Sequence, residues 1–401
     1  MTTISHVHPV TLGFMPEAQV IDDPDHPGLR RAGPRAGAPY GNERVERHDC
    51  PATDLDQHDR GDLDLRGAGF DTVDLSGLHE LQRHCADARR AGRITDEQAA
   101  GIRAALDGAV LPVAHGPALQ VLHVADEGLF MRTAGPDGLS LVGPRSVGMN
   151  EHGQATSIHI DQDVYGTPLV QVMDGRAPEL FVHDSPDGHN HDADLMLVNL
   201  WIPLQQVVQP LVLADGRTLD RRRDQLRYGL PTGSFLERDG DQVINDIWSL
   251  LHDEAQQWFF RSEMDHRRGY VFNTLSTPHG AGTLPGEEVA RRCWLALEAV
   301  EAAAAAGDPV GVSDAAMSAG DQDLPTTKVA LRSAVEAMAA LLDEARRDPV
   351  ALCAPATGAW AAGAALGRWA AAAQAVRRAV VRYSLELRMV VSGTVREESS
   401  E

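Results

Sequence analysis

The chain has 401 residues, is 43% apolar and can bury a sizeable core; its length suits two or three domains, or one large domain with an appendage. Thirty-six Lys and Arg against 58 Asp and Glu leave a formal charge of −22, which argues against nucleic-acid partners and anionic membranes. Cys50, Cys85, Cys293 and Cys353 show no CxxC spacing and read as free thiols, and no basic stretch followed by an apolar run opens the chain, so a cytoplasmic location is expected.

Residues 1–65 are rich in Pro, Gly, Asp, Arg and His and predict an irregular arm, with structure beginning near Gly69. Thr95-Asp-Glu-Gln98 is a capping box and, with Ile102 and Leu106 at helical spacing, predicts a helix over 96–107. From about 118 to 300 the segments starting at Leu119, Leu129, Leu195, Val207, Leu211 and Tyr270 read as short strands separated by turns, without regular βα alternation. The fold class expected is mainly β with helices: a double-stranded β-helix, jelly-roll or cupin-like barrel, over residues 66–305. Asp246-Ile-Trp-Ser-Leu-Leu through Phe260 reads as a helical insertion. Residues 306–401 predict an Ala-rich helical extension, with Val329, Val335, Met338, Leu341 and Leu342 on one face and Trp369, Val376, Val380, Tyr383 and Leu387 on another. Arg368, Gln374, Arg377 and Arg378 count against a membrane span there, and the extension is a candidate for homo-oligomer assembly.

The chemistry points to His159-Ile-Asp161. In an extended strand i and i+2 face the same side, so both can ligate one ion. His279, in Ser-Thr-Pro-His-Gly-Ala, lies far downstream, as when barrel closure brings two strands together. Two imidazoles and a carboxylate on one face of a metal leave the opposite face open, which suits non-haem Fe(II). Asp163 shares the strand face, but Asp161 has the tighter bite. Arg291-Arg-Cys293-Trp-Leu-Ala-Leu alternates as a strand should, with Arg291 twelve positions past His279 and able to hold a dicarboxylate through a bidentate pair. Whether Arg291 or Arg292 does so stays open.

On these residues the chain resembles the Fe(II)/2-oxoglutarate-dependent dioxygenases. The blocks Asn199-Leu-Trp-Ile-Pro-Leu, Pro210-Leu-Val-Leu-Ala-Asp215 and Thr277-Pro-His-Gly-Ala281 are similar to a hydroxylase/desaturase branch that includes gibberellin desaturases and a cephamycin methoxylation component. The resemblance covers about 69–300. It implies Fe(II) on His159, Asp161 and His279, 2-oxoglutarate with its far carboxylate on Arg291, O₂ in the remaining position, and hydroxylation or desaturation of a small-molecule secondary metabolite. That branch carries a hydroxyl residue two after the Arg, where Cys293 sits, and a Glu and an Arg farther along, where Leu295 and Leu297 sit.

Cys293 and Thr277 are further cosubstrate candidates; Arg132, Asn199, Trp201 and Tyr165 are substrate candidates. Arg132 reads equally well as a structural ion pair and Trp201 as core. His183, His189 and His191 read as a solvated loop, and His123 and His152 carry no support beyond residue type. An iron oxygenase without 2-oxoglutarate and a non-catalytic ligand-binding barrel are the alternatives.

Overall fold

A computed structural model describes residues 7–33, 45–125, 128–143, 148–161, 195–231, 244–320, 323–325, 327–353 and 363–393. Four strands come first: β1 (Val7–Phe14), β2 (Val20–Asp22), β3 (Arg30–Ala32) and β4 (Glu46–Asp54). After β5 (Phe70–Asp74) come helices α1 (His79–Ala91) and α2 (Asp96–Leu106), and then β6 (Val110–Leu111), β7 (Leu119–Val124), β8 (Phe130–Ala134) and β9 (His159–Ile160). β10 (Leu195–Gln205), β11 (Leu211–Ala214), β12 (Gln225–Pro231), β13 (Ile244–Leu250), β14 (Trp258–Phe260), β15 (Arg268–Asn273) and β16 (His279–Ala281) follow. The chain then turns helical through α3 (Glu287–Ala305), α4 (Pro309–Met317), α5 (Val329–Arg347), α6 (Pro349–Cys353) and α7 (Gly363–Ala379), before ending in β17 (Arg382–Ser392).

Ten strands form one sheet, in the order β1-β4-β14-β11-β16-β9-β13-β12-β3-β2; the other runs β5-β15-β10-β17-β7-β6, with β8 also on β17. Within them, β8-β17-β10-β15 face β9-β16-β11-β14, and the chain alternates between these quartets except from β11 to β14, which share one. This is the expected double-stranded β-helix. The outer face of β10 and β17 (Val198, Leu200, Ile202, Leu385, Leu387 and Met389) packs on Leu81, Cys85, Ile102 and Leu106 of α1 and α2. Helix α2 starts on the expected capping box, in which Thr95 and Gln98 each accept from the other's backbone N–H.

Four expectations need correcting. The N-terminal arm is a strand pair, not irregular: Val10, Leu12 and Phe14 alternate inward with Cys50 and Ala52, and β4 pairs with β14. Residues 246–260 form β13 and β14 instead of a helix. Ile247 is buried in one cluster and Trp248 and Leu250 in another, so both faces are apolar and the strand's period-2 signal disappears. Residues 287–305 are a helix, and Val289, Ala290, Cys293, Leu297 and Val300 face its core at helical spacing. The boundary at 305/306 fails as well: α3 to α7 are an insertion, and the chain returns as β17, antiparallel to β10 over most of its length. Tyr383 and Leu387 therefore lie on that strand. No helix among the described residues is long and apolar enough to cross a membrane.

Candidate metal centre

Strands β9 and β16 pair with His159 opposite His279. Their rings lie 4.5 Å apart between centroids, and Nε2 of each faces Oδ1 of Asp161, at 3.5 Å from His159 and 3.7 Å from His279. All three residues are buried. His159 Nδ1 donates to the Ser157 carbonyl at 2.9 Å and His279 Nδ1 to the Thr277 carbonyl at 3.0 Å. Because a carbonyl only accepts, each Nδ1 carries a proton and each ring turns its Nε2 toward the carboxylate. Burial penalises the Asp161 carboxylate, but His279, His159 and Arg388 outweigh this and hold it well below the usual range. Burial keeps His279 below its ordinary 6.5, favouring the neutral ring. Three lone-pair donors converging away from water are stable around a cation. Neighbouring ligands of an octahedral ion at about 2.1 Å lie about 3 Å apart, so the two His–Asp separations need only slight contraction.

Asn199 of β10 donates from Nδ2 to Asp161 Oδ2, and the same amide lies 3.4 Å from Glu386 Oε1. The Asn199 amide is thus directed at the Asp161 and Glu386 carboxylates. Thr277 acts through its backbone: its hydroxyl is committed to the Gly69 carbonyl at 2.7 Å, and its own carbonyl orients His279. At Gly69 φ is +94°, and a Cβ there would come within 2.6 Å of the Thr277 hydroxyl, so the site needs glycine.

A narrow cavity beside the triad, about 10 Å³, is lined by His159, His279, Trp201, Arg132, Glu386 and Arg382, among others. Arg132 donates to Glu386 at 2.7 Å and to the Gly153 carbonyl at 3.0 Å, so an ion pair and a cavity wall coexist in one residue. Trp201 is buried, with the Arg382 guanidinium over its ring at 5.8 Å.

Arg291 is elsewhere. It lies on α3, about half exposed, 3.8 Å from Asp137, and lines a separate cavity of about 320 Å³. Neighbouring Arg292 donates to the Ala319 carbonyl, and Cys293 is packed in the helical core, its thiol pushed up to about 11 by burial. The strand expected around Arg291 is therefore replaced by β17. Its inward face presents Arg382, Ser384, Glu386 and Arg388, all buried. Arg382 donates to the Gln209 carbonyl, its Nε has no partner, and no carboxylate among the described residues pairs with it. Burial and Arg132 pull the guanidinium's pKa down, Glu386 and Glu287 pull it back. Ser384 Oγ and Arg388 Nη1 are likewise buried without partners. A legible signal existed in Arg382-Tyr-Ser-Leu-Glu-Leu-Arg388, which has the Arg, hydroxyl, Glu and Arg of the resembled branch at successive alternate positions.

Tyr165, Asp163, His183, His189 and His191 lie outside the described residues.

No family model matches the chain, and no curated protein matches it. Among solved structures, an iron and alpha-ketoglutarate-dependent endoperoxidase, NvfI, superposes with a TM-score of 0.47 at 13% identity, covering 97% of this chain and 99% of that one. A tryptophan-to-phenylalanine variant of NvfI gives 0.47 at 14% identity, covering 98% and 100%. NvfI in a different conformation gives 0.46 at 13%, again covering 98% and 100%.

Proposed function

We propose that this chain is a non-haem Fe(II)/2-oxoglutarate-dependent oxygenase that hydroxylates or desaturates a small secondary metabolite in the cytoplasm, releasing succinate and CO₂. One observation carries the reading: His159 and His279 of the buried His-Asp-His triad share a cavity with Arg382, a buried guanidinium whose Nε has no partner. A buried guanidinium lacking a carboxylate is costly until an anion meets it. When bound, Fe(II) and 2-oxoglutarate would supply O₂ activation and the electrons for it.

His159, Asp161 and His279 hold the metal on one side and leave the other to cosubstrate and O₂. Arg382, with the Ser384 hydroxyl two positions on, receives the distal carboxylate, the role the sequence had suggested for Arg291. Trp201 walls this end of the cavity and keeps water out. The Arg132–Glu386 pair presents charge to the substrate side.

The test is anaerobic titration of 2-oxoglutarate into the Fe(II) protein, read by the visible charge-transfer band of a chelated keto acid, followed by succinate release in air. His159→Ala should abolish both. Arg382→Met should lose 2-oxoglutarate affinity, whereas Arg291→Ala should keep it. Fe(II) binding without 2-oxoglutarate binding would instead indicate an iron oxygenase that takes its electrons from the substrate.

A further inference from the structure

Among the described residues, two other than glycine have positive φ: Asp137 at 47° and Gln209 at 48°. One side chain holds both. Glu287, fully buried in the first turn of α3, accepts from the Gln209 N–H and the Leu284 N–H on Oε1, each at 2.9 Å. Its Oε2 accepts from the Asp137 N–H at 3.0 Å and from Gln209 Nε2 at 2.9 Å. Four donors saturate the carboxylate. Left-handed backbone at a non-glycine residue is costly and persists only where its surroundings over-determine it. At Gln209 the consequence reaches the cavity, because the Gln209 carbonyl accepts from Arg382 Nη1. The same hub holds Asp137, which faces Arg47 and Arg291 in the 320 Å³ cavity; Ala281 lines both cavities.

We infer that Glu287 is a positioning residue for cosubstrate binding: by locking Gln209 in its left-handed conformation, it aims the Arg382 guanidinium at the incoming dicarboxylate. The inserted helices are thereby tied to the barrel's anion site. This inference rests on the function proposed above.

Glu287→Gln keeps the shape but leaves one acceptor oxygen where two served four donors, so Gln209 loses its N–H or its Nε2 partner and the lock loosens. The readouts are separate anaerobic affinities for Fe(II) and for 2-oxoglutarate on the Fe(II) protein. The expected result is about a tenfold loss for 2-oxoglutarate, the scale of one charge-assisted hydrogen bond, with Fe(II) affinity within about twofold of wild type. Adding Gln209→Gly, which takes positive φ without strain, should recover most of the 2-oxoglutarate affinity, a rescue that general loosening of the fold cannot produce. Equal losses for both ligands, unchanged 2-oxoglutarate affinity in Glu287→Gln, or no rescue in the double variant would overturn the inference. Wild-type protein that binds Fe(II) but not 2-oxoglutarate would refute the proposed function itself.

Discussion

At the scale of single residues, the site works by committing every second atom of its ligands. Each histidine spends Nδ1 on a backbone carbonyl and Asp161 spends Oδ2 on Asn199, so one nitrogen or oxygen of each is left to face the metal. Losing such a supporting contact typically costs ten- to a hundredfold in metal affinity. Asn199→Ala should therefore weaken Fe(II) binding by about that factor in anaerobic titration, and wild-type affinity would show that Asp161 needs no orientation. Protons compete with the metal for the same lone pairs. Since burial holds His279 below 6.5 and its two histidines and Arg388 hold Asp161 low, protonation of this pair starts only on the acid side. Fe(II) affinity should therefore fall as the pH is taken into the acid range. Titrations at a series of pH values check this; a decline that begins above neutrality would mean that burial does not hold His279 neutral. The candidate triad was legible because HxD sets two donors on one face of a strand, and the structure brings His279 beside them. Arg382 was harder to read because an arginine's placement depends on which strand closes the barrel, and five helices among the described residues stand between His279 and that strand.

Individual elements were legible where one face is buried and obscured where both are. The capping box of α2 is self-contained, and its helix begins where the sequence says. β13 buries Ile247 on one side and Trp248 on the other, so its run of apolar residues looks helical. β17 is the inverse: its Leu385, Leu387 and Met389 pack under α1 and α2 while its polar residues are buried inside the barrel, so it mimics a half-solvated surface segment. In the N-terminal arm, His, Pro and Asp punctuate an alternation whose apolar members are the ones that matter. There β1 braces the metal centre: the Gly13 carbonyl accepts from the Ile158 N–H at 2.8 Å, next to His159. A Cβ on Gly13 would sit 2.4 Å from the Thr156 carbonyl oxygen and 2.6 Å from Val45. Backbone cannot rotate away as a side chain can, so Gly13→Ala should cost about 1–3 kcal/mol in urea unfolding and lower Fe(II) affinity as well. A variant with wild-type stability would show that β1 only lies over the site.

For the whole molecule, the decisive feature is that the chain's end is not its periphery. β17 sits between β10 on one side and β7 and β8 on the other. It completes the wall that carries Arg382 and joins the sheet to the inserted helices, whose cluster extends through Val380 and Val381. A chain stopped at Gly307 would keep all three metal ligands and lose this strand. The apolar side chains Leu385, Leu387, Met389 and Val391 are fully buried. At about 1.5–3 kcal/mol each, they match the entire net stability of an ordinary domain, about 5–15 kcal/mol. Their removal would also strand the β10 backbone and expose the apolar undersides of α1 and α2. The truncated protein should therefore show no cooperative thermal transition and no stoichiometric Fe(II) binding, even though no ligand residue is missing. Calorimetry and anaerobic metal titration of the 1–307 fragment decide this. A folded, iron-binding fragment would mean that the barrel closes without β17 and that the helices and last strand form a separable unit after all.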